Sequence, residues 1–245
     1  MNNNGYNSIE NNNYNAHKFD IEGGQYNYTD YNKIIRMGFI RKVYSILSIQ
    51  LFITVCLSSL AFEESVNKFL KTNIHLFYVF LAISLIILLV LMCFKSVARK
   101  VPINYILLFA WTLCESYMIA TAVSFHDPMI VMFAAVLTVA VTVALTIYAC
   151  TTKTDFTYFG GILFVAVTIL FIWGIFILIF GFFLYTLYCV LALIVYSIFL
   201  IYDTQLIMGK FNSEYGIDDY VIAALNIYID IIRIFLSILQ LLGRR

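Results

Sequence analysis

The stretch LNIYIDIIRIFL, residues 225–236, combines a long apolar run with two charges, Asp230 and Arg233. A charge inside a membrane or a protein core is costly unless a partner or a function compensates for it. At about 100° per residue, the polar side chains around this stretch fall within roughly 80° of Asp230 on a helical wheel. They are Asp219, Asn226, Arg233, Ser237 and Gln240. The pattern predicts a helix whose polar stripe faces a bundle interior or water.

Composition places this helix in a bilayer. The chain is 62% hydrophobic and only 12% charged, whereas soluble domains carry about a quarter charged residues. Too little polar surface would remain to keep such a chain dissolved, so lipid is the expected environment. The net charge of +1 argues against nucleic-acid binding, which needs clustered Lys and Arg.

Apolar runs long enough to cross a bilayer, which takes about 20 residues, recur along the chain. Four clear runs are 43–62, 74–94, 103–124 and 128–150, and the run 220–242 holds the polar stripe. Segment 156–202 is uncharged and too long for one crossing, which predicts two spans with a turn near Gly181. The predicted fold is an all-α membrane protein, a bundle of seven transmembrane helices in which six spans are clear and the seventh carries the polar stripe.

The two ends of the chain differ from this apolar body. Residues 1–32 are rich in Asn and Tyr without periodicity, which predicts a disordered cytosolic tail before a membrane domain at 33–245. Basic residues concentrate on the side of the spans that holds the N-terminus, which predicts a cytosolic N-terminus. Arg244 and Arg245 also favour the cytosol, and a seventh full crossing would oppose this. A re-entrant seventh segment therefore stays open as an alternative.

Besides Asp230, the apolar runs hold two acids, Glu115 in LFAWTLCESYMIA and Asp203 in SIFLIYDTQLIMGK. Acids within a membrane mark ion paths, proton relays or buried pairs. Simpler alternatives exist for each. Asp230 and Arg233 could neutralise each other within one helix turn, Glu115 could make a hydrogen bond between helices, and Asp203 could lie at the water boundary.

Asp203 and Asp230 are expected to approach each other, because a short loop of about residues 206–218 joins their helices. Two close carboxylates cannot both ionise cheaply, so the pair is expected to share a proton. Carboxylate oxygens also bind hard cations, but Ca²⁺ prefers six to eight oxygens. Two aspartates therefore predict a weak and transient Ca²⁺ contact, with Ca²⁺ passing through and no resident cofactor.

Enzymatic signatures are missing from the sequence. There is no H-E-x-x-H, G-x-S-x-G or phosphate-binding loop. An intramembrane aspartyl protease would place two acids on facing helices, but it is expected to carry a G-x-G-D-type sequence. The contexts here are I-Y-D-T at Asp203 and Y-I-D-I at Asp230. The sequence therefore predicts a protein that is not an enzyme.

Four segments resemble the transmembrane BAX inhibitor motif, or Bax inhibitor-1, family. They are RMGFIRKVYSILSIQL at 36–51, PINYILLFAWTLCES at 102–116, IYDTQLI at 201–207 and DDYVIAALNIYIDIIRIFLSILQLL at 218–242. Within the family, the sequence is most similar to the lifeguard branch and its Golgi anti-apoptotic proteins, which occur in animals and some poxviruses. The resemblance covers about residues 33–245.

This resemblance implies a multi-pass protein of Golgi or endoplasmic reticulum membranes that leaks Ca²⁺ from the lumen and inhibits apoptosis. It implies a di-aspartyl pH sensor at Asp203 and Asp230. A basic residue that pairs with the two aspartates, termed the latch below, maps to Lys95 or, second, to Arg99. An acid before the seventh span maps to Asp218.

Two function classes follow. In the first, Ca²⁺ and H⁺ move along the polar interior, with Glu115, Asn226 and Arg233 in support. In the second, a non-conducting protein suppresses death signalling by binding membrane-protein partners. The buried stripe favours conduction, because a scaffold does not need one.

Overall fold

The computed structural model describes residues 33–180, 185–209 and 215–243 of the 245-residue chain. The tail at 1–32, the turn predicted near Gly181 and the pair Arg244 and Arg245 lie outside the described residues. The described parts are helical and contain no β-strand. Their helices are α1 (33–59), α2 (Glu64–Thr72), α3 (Ile74–Cys93), α4 (Lys95–Ala98), α5 (Ile103–Val123), α6 (Pro128–Thr151), α7 (Gly160–Phe180), α8 (Tyr185–Met208) and α9 (Tyr220–Leu242).

Seven of these helices, all but the short α2 and α4, are long and apolar enough to cross a membrane. This confirms the predicted all-α, seven-span architecture. The long uncharged segment 156–202 divides into α7 and α8, as predicted. The seventh span, α9, is one uninterrupted helix of 23 residues. At about 1.5 Å per residue it is roughly 34 Å long, enough to cross the hydrocarbon layer without turning back.

The centre of the bundle is α9. In the most apolar 18-residue stretch of each span, 72% of α9 and 61% of α5 is buried, against 11–22% for the other five spans. α9 packs against α8, α6 and α5, while α3 packs on α5 and α7 on α8. Side chains such as Ile86, Phe133 and Phe164 remain exposed on the outer helices. A bundle that turns so much apolar surface outward requires lipid around it.

The bundle has two different ends. The basic end holds the start of α1, the short helix α4, the connection after α6 and the loop between α8 and α9. The opposite end holds α2, the connection between α5 and α6, and the end of α9 beside His126. α8 runs toward the basic end and α9 leaves it, so the two helices are antiparallel neighbours.

Candidate functional site

Asp203 of α8 and Asp230 of α9 meet in the interior of the bundle. Their side chains are 4% and 3% exposed, and their carboxyl groups are within hydrogen-bonding contact of each other. The second oxygen of Asp230, Oδ2, is buried and has no hydrogen-bond partner among the described residues. The structure therefore brings together the two acids that sequence reasoning paired.

Tyr215, in the loop before α9, completes a hydrogen-bonded chain at this pair. Its hydroxyl accepts a hydrogen bond of 2.7 Å from the Asn226 amide and bonds the carboxylate of Asp203. Because the amide is a donor, the hydroxyl proton of Tyr215 is directed to the carboxylate. Burial, followed by the nearby charge of Asp203, raises the pKa of Tyr215 well above its ordinary value. Tyr215 therefore remains a protonated donor.

Arg36, near the start of α1, holds the loop that carries Tyr215. Its guanidinium donates to the backbone carbonyl of Leu206 at the end of α8 and, over 3.2 Å, to the carbonyl of Tyr215. The same group lies 4.8 Å from the centre of the Phe39 ring. In the sequence, Arg36 was only one of the basic residues on the N-terminal side and the start of the segment at 36–51, and Tyr215 was not singled out. No local pattern links residues that are 179 positions apart.

Arg99, one of the two basic residues mapped to the latch, pairs with an acid outside the aspartate pair. Arg99 makes a two-pronged ion pair with Asp219, with distances of 2.6 Å from Nε to Oδ1 and 2.8 Å from Nη2 to Oδ2. The Arg99 guanidinium lowers the pKa of Asp219, and Lys95 adds a smaller attraction. Asp218, beside it, is exposed.

The latch prediction is wrong for Arg99, which pairs with Asp219, and the charge of Lys95 acts on the same acid. The reason is depth along the bundle. α4 lies at the basic end, whereas Asp230 is 11 residues, or about 16 Å, further along α9 than Asp219. A side chain from α4 does not span that depth.

A second group of polar residues lines a cavity of about 220 Å³ between α3, α5, α8 and α9. Among its lining residues are Glu115, Arg233, Tyr188, Tyr196, Ser237 and Gln240. Glu115 is the foremost favourable charge partner of Arg233. The alternative of an Asp230–Arg233 pair within α9 is therefore not the arrangement found: Arg233 faces the acid of α5 across the cavity.

A third polar cluster ties α1, α5 and α9 together. Thr54 shares a hydrogen bond of 2.6 Å with the Tyr228 hydroxyl and accepts one of 3.1 Å from Ser116. Gln50 donates to Thr112 over 3.1 Å. Sequence reasoning missed this cluster, because single Ser, Thr and Gln residues in apolar helices carry no distinctive signal.

The described part of the chain contains no group of three or more His, Cys, Asp or Glu residues placed to hold a metal ion. Asp203 and Asp230 offer four carboxylate oxygens between them, fewer than the six to eight that Ca²⁺ prefers. The geometry suits brief contact with a passing cation better than storage.

Comparison with known proteins assigns the family. The model of the family described as "Inhibitor of apoptosis-promoting Bax1" matches residues 36–245. The chain belongs to this family. It is 38% identical over 217 residues to human Protein lifeguard 3, an alignment that covers 86% of this chain and 70% of the relative. It is 39% identical over 212 residues to mouse Protein lifeguard 4, covering 85% of each chain.

The match confirms the family inferred from sequence, including its lifeguard branch. It begins at Arg36 and so includes each contact of the aspartate pair described above. The protein is thus a multi-pass membrane member of the Bax1-inhibitor family.

Proposed function

We propose that this protein is a Ca²⁺ leak channel of Golgi or endoplasmic reticulum membranes that lowers the luminal store and thereby inhibits apoptosis. The observation that carries the proposal is the buried contact between the carboxyl groups of Asp203 and Asp230. The description of the family as inhibitors of apoptosis-promoting Bax1 supports the cellular role.

The aspartate pair has the chemistry of a pH-modulated gate. When both carboxylates are charged they repel each other. Because Asp203 is on α8 and Asp230 is on α9, this repulsion acts to separate the two helices. One proton shared between them, or a passing cation, relieves it. Protonation that favours one arrangement of α8 and α9 over another shifts the population of closed and open bundles.

Polar groups lie on both sides of this gate along the bundle. Toward the basic end, Tyr215 links Asp203 to the loop held by Arg36. Toward the opposite end lies the cavity that Arg233 and Glu115 line. Polar groups therefore follow one another through the interior. A membrane scaffold would gain nothing from this sequence of buried polar groups, and each is costly to bury.

Ca²⁺ flux through the purified protein in liposomes, measured with a luminal indicator from pH 5 to 8, tests the proposal directly. We expect flux above that of empty liposomes, with a pH dependence that is flattened in Asp230→Asn. Glu64→Gln, which removes an exposed carboxylate on α2, is the matched control and should behave as the wild type.

The same variants separate the two function classes in cells. Expression of the wild type should lower stored Ca²⁺ and delay death, and Asp230→Asn should weaken both effects. The leak proposal fails if the wild type shows no flux in liposomes and the wild type and Asp230→Asn delay cell death equally well. The protein then acts by binding partners.

A further inference from the structure

Arg233 places a positive charge within the span α9, about 20 Å from its start at the basic end. The part of the chain that the structure describes provides no hydrogen bond and no ion pair within 4 Å for its guanidinium. The Ser237 hydroxyl donates over 2.8 Å to the backbone carbonyl of Arg233. Arg233 lines the 220 Å³ cavity. Its five N–H donors need water or a passing polar group, because burial without partners is costly.

Glu115 lies across the same cavity and is only 6% exposed. It too has no hydrogen-bond partner among the described residues, and its attraction to Arg233 acts through the space between them. The other titratable side chains that line the cavity are Tyr185, Tyr188, Cys189 and Tyr196, and Tyr228 also acts on Arg233. All of these are neutral when protonated, so Glu115 is the acid of the cavity lining that offsets the charge of Arg233.

The two charges lie at the same depth. Glu115 is 12 residues from the start of α5 and Arg233 is 13 residues from the start of α9, about 18 Å and 20 Å from the basic end. The cavity continues along α9 from Arg233 to Gln240, about 10 Å toward the opposite end. Asp230 is one turn in the other direction. A cation that enters through this cavity therefore meets the Glu115–Arg233 level before it reaches the aspartate pair.

We propose that Glu115 and Arg233 form a charge-compensated site in the cation path that sets the rate and cation selectivity of the leak. Arg233 alone would repel a divalent cation, and Glu115 alone would hold it. Together they leave this depth of the cavity with almost no net charge, so that Ca²⁺ passes slowly and is not trapped. This inference rests on the proposed leak function and adds a specificity determinant beyond the aspartate pair.

Four variants in liposomes test the inference, with Ca²⁺ and K⁺ flux measured side by side. Glu115→Gln leaves Arg233 uncompensated and should lower Ca²⁺ flux about tenfold, and K⁺ flux by less, because repulsion grows with ion charge. Arg233→Gln should raise Ca²⁺ flux severalfold relative to K⁺ flux. The double variant should return close to the wild type, and Arg233→Lys, which retains the charge, should resemble the wild type.

Folding is controlled by requiring each variant to elute from size exclusion as the wild type does. Ser45→Ala, at an exposed residue of α1 that does not line the cavity, should leave the Ca²⁺ to K⁺ ratio unaltered. If the wild type conducts and the four variants share its ratio, the charge-compensated site is overturned while the leak function stands. If the wild type does not conduct, the leak function is overturned, and the charge-compensated site with it.

Discussion

The hydroxyl of Tyr215 accepts a hydrogen bond of 2.7 Å from the Asn226 amide. Through this bond a loop residue is attached to the first turns of α9, and its hydroxyl proton is directed to Asp203. The aspartate pair is therefore not isolated from other polar groups. It is the inner end of a hydrogen-bonded chain that begins at Tyr215, near the basic end of the bundle.

Tyr215→Phe should shift the pH profile of Ca²⁺ flux. The substitution removes the donor to Asp203 and leaves the ring in place. A hydrogen bond to a charged group contributes about 1.5–3 kcal/mol, and about 1.4 kcal/mol corresponds to one pH unit. We expect the midpoint of the flux profile to rise by about one unit, because a donor that favours the charged pair is lost. Tyr158→Phe, at an exposed tyrosine, should leave the midpoint where it was.

Asp203→Asn and Asp230→Asn should each flatten the pH dependence of flux, and the double substitution should add little. The carboxyls are in contact, so either change removes the shared proton of one pair, and residues in direct contact are not additive. The measurement is the flux ratio between pH 6 and pH 8 for the four proteins of the cycle. Strictly additive effects would show that the two acids titrate independently, and the sensor would have to be abandoned.

Asp219→Asn should lower thermal stability in detergent at neutral pH, and this difference should vanish in acid. The Arg99 guanidinium holds the pKa of Asp219 below its ordinary 3.8. A carboxyl with a lowered pKa stabilises the fold fully above the ordinary value and loses that contribution as pH falls through the folded value. We expect wild type and variant to differ in melting temperature by a few degrees at pH 7 and to converge below about pH 3.8.

Asp218→Asn is the matched control for that measurement, because the neighbouring side chain is exposed. It should melt within a degree of the wild type across the same pH range. A constant difference between wild type and Asp219→Asn at every pH would mean that the ion pair with Arg99 contributes nothing to stability.

Gly209→Ala should destabilise the basic end of the bundle. Gly209 ends α8 with φ of +62°, a conformation that costs an L-residue about 1–2 kcal/mol. An added Cβ would also lie 2.8 Å from Nε of Arg36 and would displace the group that holds the Tyr215 loop. We expect a loss of at least about 1 kcal/mol in unfolding titrations, together with a changed pH profile of flux.

Gly161→Ala provides the comparison, since nothing lies within 4 Å of a Cβ placed there. Alanine favours a helix by up to about 1 kcal/mol over glycine, so this variant should be as stable as the wild type or more so. Equal effects of the two substitutions would remove the special role of Gly209.

Much of the architecture could be read directly from sequence. Apolar runs of about 20 residues predict spans because lipid leaves backbone polar groups no partner outside a helix. The polar stripe of α9 follows from the helical period, and the approach of Asp203 to Asp230 follows from the short connection between their helices. All three inferences depend on distances along one helix or across one loop.

The tertiary structure alone decided which residues pair across the bundle. Arg99 binds Asp219 across 120 positions, Arg36 reaches Tyr215 across 179, and Arg233 faces Glu115 of α5 where sequence allowed Asp230 of its own helix. Such contacts depend on how far each helix is rotated and how deep it lies beside its neighbours. Those two variables come from the packing of side chains between helices, which hydrophobic periodicity leaves undetermined.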